Sequence, residues 1–83
     1  MKPDFQEVQV TMGFIYFRQK KLDQAFAAFD TELRQRPKDL EALYGRGLVR
    51  RAKGDAVGAQ ADIAQATSSD PQIAMRLARQ GMR

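Results

Sequence analysis

Apolar residues recur along this chain in blocks, separated by short polar breaks. From Leu22 to Arg36 they stand at Leu22, Ala25, Phe26, Phe29 and Leu33. That is the i, i+3, i+4, i+7 spacing of one helix face. Arg34 and Arg36 suit the negative end of that helix dipole, and Pro37 ends it, because the residue before a proline is pushed out of the α region. Leu40, Leu43, Tyr44, Leu48 and Val49 repeat the spacing and predict a helix over 40–53, with Asp39 as its cap. Gly54-Asp55 then supplies a left-handed turn and the next cap. A helix over 56–68 follows, with small inward residues at Val57, Ala59, Ile63 and Ala66.

The ends of the chain are patterned too. Asp4 with Glu7 has the spacing of a capping box, and it predicts a first helix from Phe5 to about Gln19. The apolar positions of that helix, from Val8 and Val10 to Phe17, nearly encircle it, so cover on more than one side is expected. Thr11–Phe17 is rich in β-branched and aromatic residues and also reads as a strand on propensity alone. Asp70 as cap and Pro71 as first helical residue predict a short fifth helix, carrying Ile73, Ala74, Leu77 and Ala78 to about Gln80.

A fixed period decides between helix and strand. Gly13 recurs at Gly47 and Gly81, Ala25 at Ala59, Phe29 at Ile63 and Pro37 at Pro71, each 34 residues on. A period in this range marks a repeat architecture, and the second copy, Glu41–Arg51, is not strand-like. The first copy reads Met12-Gly13-x-x-Tyr16, Ala25-x-x-x-Phe29, Pro37. The second reads Arg46-Gly47-x-x-Arg50, Ala59-x-x-x-Ile63, Pro71. These two units resemble the tetratricopeptide repeat.

The resemblance implies an all-α fold: a right-handed stack of antiparallel helix hairpins, five helices in all. Its units would be a first repeat at about 6–39, a second at about 40–73, and a capping helix at about 71–82. It also implies a protein–protein interaction scaffold, since in this family the first helix of each repeat lines a concave groove that holds peptides. The matching groove positions are Val10, Phe14, Phe17 and Arg18, then Tyr44, Leu48 and Arg51, then Met75 and Arg79. They form an apolar strip edged by arginines, suited to a segment with apolar anchors and an acidic residue or terminal carboxylate. For Phe14, Tyr44 and Leu48 the competing reading is core between neighbouring helices. The two-carboxylate clamp of some family members is not expected, because only Arg79 agrees among Val10, Phe14, Gly45, Met75 and Arg79. Arg46 and Arg50 depart from the family pattern and are expected to reach solvent or pair with Asp23, Asp62 or Glu41.

Composition narrows the chemistry. The chain has no cysteine and no histidine, which excludes disulfides, thiolate or imidazole metal sites, and Ser/His or Cys/His catalytic pairs. Paired carboxylates such as Asp23 and Asp30 imply no pocket, so neither catalysis nor a cofactor is expected. No apolar run approaches the roughly 20 residues of a membrane span. No secretory signal is evident, which favours the cytoplasm while leaving the periplasm open. Fourteen basic against ten acidic residues give a net charge of +4, a modest surplus that favours acidic partners weakly. Arg46, Arg50 and Lys53 share a helix face, but acidic residues are interspersed and aromatics are not, which argues against nucleic acid. Few repeats bury little surface. The alternative to peptide binding is therefore self-association, as a homodimer or one end of a longer array, through Val8, Phe14, Ile15 or Phe17.

Overall fold

The structure, a computed structural model, describes residues 5–79. Among these the chain is all-helical: α1 (Phe5–Arg18), α2 (Leu22–Gln35), α3 (Leu40–Ala52), α4 (Ala56–Ser69) and α5 (Ile73–Arg79). The strand reading of Thr11–Phe17 is overruled, and each of the four links between helices is short. Each helix packs against the next in the chain, and α3 also touches α1 and α5.

The helix ends follow from local chemistry. Asp39 accepts a hydrogen bond from the Ala42 backbone N–H (3.2 Å), and Asp55 accepts one from Gly58 (2.9 Å). Both satisfy donors that a first helical turn leaves without partners. Asp70 accepts from the Gln72 N–H (3.1 Å), but Pro71 and Gln72 form a turn, so α5 begins two residues later than the proline signal predicts. Asp4 and Gly81 lie outside the described residues. The ends of α1 and α3 are the same device one period apart. Lys21 N–H bonds to Tyr16 C=O and Lys20 N–H to Phe17 C=O, while Asp55 N–H bonds to Arg50 C=O and Gly54 N–H to Arg51 C=O. Each pair is a Schellman closure, which needs one left-handed residue. In the second copy this is Gly54 at φ 91°; in the first it is Lys20 at φ 63°.

The core is organised by Phe29, which is fully buried. Its ring stands edge-on to Phe14, with centroids 4.9 Å apart at 75°. A Cβ on Gly13 would come within 2.6 Å of that ring, and one on Gly45 would come closer still. Phe29 of α2 is thus seated between α1 and α3 in two notches that only glycine leaves open. Gly45, outside the 34-residue pattern, is as necessary to this packing as Gly13 inside it. One period on, Ile63 occupies the notch at Gly47.

α3 is the central helix: Ala42, Leu43, Leu48 and Val49 are all buried. The core is shared between the first copy and α3, and packing is looser at α4, whose buried residues are Ala59, Asp62 and Ala66. Val57 points outward, 83% exposed. Ile73 and Leu77 of α5 are buried and close the far side.

Two outcomes follow. Gly45→Ala should destabilise the fold by about 1–3 kcal/mol through crowding of Phe29, despite alanine's better helix propensity. Lys20→Gly should stabilise it by about 1 kcal/mol by removing the left-handed cost of a side chain. Urea unfolding followed by circular dichroism measures both; a neutral Gly45→Ala contradicts the notch.

Candidate functional site: the groove beside α3

α3 lies between α1 and α5, and an open cavity of about 480 Å³ runs beside it. Its walls are Phe17 of α1, Tyr44, Leu48 and Arg51 of α3, and Ala74 and Ala78 of α5. Volumes of this order accept a few side chains of a partner segment. Phe17 continues into a second hollow of about 580 Å³ with Arg18, Lys20, Leu22 and Ala52. Arg51 also borders a third, of about 310 Å³, against Ala59, Gln60 and Ile63 of α4.

Phe17, Tyr44, Leu48 and Arg51 are therefore brought together as expected, with Arg18 one hollow away. Val10 and Phe14 are not part of the surface. They are 4% and 1% exposed and belong to the core cluster around Phe29, which corrects their reading as groove residues. Met75 is exposed but does not line the cavity. The side chain of Arg79 lies outside what the structure describes. Ala74 and Ala78 take the places assigned to Met75 and Arg79. The period contained the signal: Ala78 is 34 residues beyond Tyr44, whereas Arg79 is 34 beyond Gly45, on the face turned to α2.

The charges around the groove divide sharply. Arg46 grips Asp62 with two hydrogen bonds, Nε to Oδ2 (2.8 Å) and Nη2 to Oδ1 (3.0 Å), and its Nη1 reaches Asp30 of α2 (3.3 Å). Arg50 donates to the same Asp62 carboxylate (3.1 Å). The Asp62 hydrogen bonds raise the Arg46 pKa still further above its ordinary range. Asp62 is 4% exposed, so a buried carboxylate on α4 ties two arginines of α3, and through Arg46 ties α2 as well. Lys53 pairs with Asp23, and Arg50 and Lys53 flank the Phe26 ring at 5.5 and 6.0 Å. Arg76 of α5 binds Glu41 (2.9 Å) and Asp70 (2.6 Å). Glu32, buried in α2, has the Arg36 guanidinium 3.6 Å away. Arg51 differs from its neighbours on α3: it is exposed, and among the described residues it forms no ion pair.

Among the described residues no group of acidic side chains could hold a metal ion, and no helix is long and apolar enough to cross a membrane. Compared with family models, with curated proteins and with solved structures, the chain matches none.

Asp62→Ala removes the carboxylate shared by two partly buried guanidiniums, leaving Arg46 only Asp30 and Arg50 only a long contact to Asp55 (3.9 Å), and should cost about 2–4 kcal/mol. Arg46→Met combined with Asp62→Leu should recover most of that loss, because an apolar pair needs no charge compensation. Thermal unfolding of the single and double variants decides it; a double variant weaker than Asp62→Ala contradicts the reading. The carboxyl of Asp70 is held below its ordinary pKa by the Arg76 hydrogen bond, and that of Asp23 likewise by Lys53. Both pKa values are lower folded than unfolded. Their stabilisation is therefore present above the unfolded carboxylate range and fades as pH falls through the folded values. Arg76→Met should flatten the acid limb of a stability–pH profile.

Proposed function

We propose that this chain is a helical-repeat module of the tetratricopeptide type. It acts without catalysis, holding a peptide or partner segment in the groove beside α3. The observation that carries this reading is the combination in one cavity of apolar walls, Phe17, Tyr44 and Leu48, with Arg51, the arginine of α3 that forms no ion pair among the described residues. A guanidinium at the rim of an apolar trough selects a segment with apolar anchors next to an acidic side chain or a terminal carboxylate. Its place in the last turn of α3 leaves the side chain in solvent, where it costs nothing to keep charged.

A nucleic-acid role would draw on Arg46, Arg50 and Lys53. All three are engaged by Asp62 or Asp23, so their charge is locally neutralised and the backbone-phosphate attraction that such binding requires is weak.

Selection from a displayed library of random peptides tests the groove. The selected sequences should share apolar residues beside aspartate, glutamate or a free C-terminus. Arg51→Glu should weaken their binding by about 10-fold or more, and Tyr44→Ala by a similar factor, with little change in melting temperature for Arg51→Glu. Selected peptides lacking acidic groups, or affinity unchanged in Arg51→Glu, would sink the proposal.

A further inference from the structure

α1 leaves one flank uncovered. Val8, Met12 and Ile15 are 41%, 36% and 41% exposed, and at i, i+4, i+7 they form one stripe. Helix one was expected to be covered on more than one side, and the stripe is where that cover is missing. The 34-residue period shows what this flank normally meets. The same positions one repeat later are Ala42, Arg46 and Val49. Ala42 and Val49 are fully buried, on the face of α3 where Gly45 takes the Phe29 ring and Arg46 meets Asp30, both from α2. The stripe on α1 is thus a helix-docking face without its helix.

The occupant is set by how α1 departs from α3. Gly45 becomes Thr11, whose side chain fills the notch that seats an aromatic ring in the second copy. Arg46 becomes Met12, which needs no acidic partner. A helix of the α2 kind, with its aromatic wedge and its aspartate, fits this face poorly. A helix presenting a plain aliphatic stripe fits it well, and α1 presents such a stripe. Its end charges are complementary when reversed: within α1, Glu7 stands in the first turn and Arg18 in the last. Antiparallel pairing sets each acidic end beside a basic one and opposes the two helix dipoles.

We propose that the outer flank of α1 binds a second copy of this chain, the two α1 helices packing antiparallel about a twofold axis. This surface is separate from the groove beside α3, so both can be occupied at once. The apolar stripe is about two helical turns long, well below the size of an obligate interface, so the dimer forms in the range of roughly 10–100 μM.

Sedimentation equilibrium of the full chain tests it. The mass should rise from 9.4 kDa towards twice that value as concentration increases to about 300 μM. Met12→Glu should hold it at the monomer, with helical content and melting temperature at low concentration unchanged. Glu7→Lys should weaken association several-fold, and Glu7→Lys with Arg18→Glu should restore it. A wild type that stays monomeric throughout overturns the proposal and leaves the flank to a helix from elsewhere. So does a dimer that survives both Met12→Glu and Ile15→Glu. Association indifferent to the charge exchange overturns the antiparallel arrangement.

Discussion

Everything in this fold is arranged around one aromatic ring seated between two glycines. Phe29 projects from α2 into Gly13 of α1 on one side and Gly45 of α3 on the other, edge-on to Phe14. Close approach of three helices in an 83-residue chain requires that backbone, rather than side chains, form the walls of the socket. The ring then supplies the buried area that a small core otherwise lacks. Because Phe29 fixes α3 against α1, it also fixes the trough that Phe17, Tyr44 and Leu48 line. The core residue and the candidate binding surface are two sides of the same placement.

The second repeat closes by a different means. Where an apolar seam is expected on α3 there are Arg46 and Arg50, and α4 offers Asp62 between small residues. Two guanidiniums on one buried carboxylate give directional hydrogen bonds in place of contact area. An isolated buried charge is costly, so the device works only because every member has a partner. It also leaves α3 with a division of labour among adjacent arginines. Arg46 and Arg50 hold the hairpin together, while Arg51, 100° further round the helix, is left to the groove.

Much of this was legible in the sequence, and for identifiable reasons. The apolar spacing from Leu22 to Leu33 and the 34-residue period gave helix positions to within two residues, because both are consequences of the 3.6-residue turn and of stacking like units. The pairing of Arg46 and Arg50 with Asp62 was foreseeable from the intolerance of interiors for lone charge. What a periodic pattern does not carry is which side of a helix a neighbour will cover. Val10 and Phe14 match Tyr44 and Leu48 in register, yet they are sealed into the core, and Leu48 itself is mostly buried, with only an edge on the trough. Val57 looks inward on the helical wheel but lies at the edge of the α3–α4 contact, in solvent. Gly45 weakens α3 by helix propensity alone, and only the Phe29 ring it seats explains it.

On this reading the trough beside α3 is the surface that meets a partner segment. Backbone amide and side-chain methyl chemical shifts, followed while a selected acidic peptide is titrated in, locate that surface directly. Perturbations should gather on Phe17, Tyr44, Leu48, Arg51, Ala74 and Ala78, and leave the Phe26–Arg50–Lys53 cluster on the other side of α3 untouched. Shifts confined to that cluster or to the outer flanks of α2 and α4 would contradict the account.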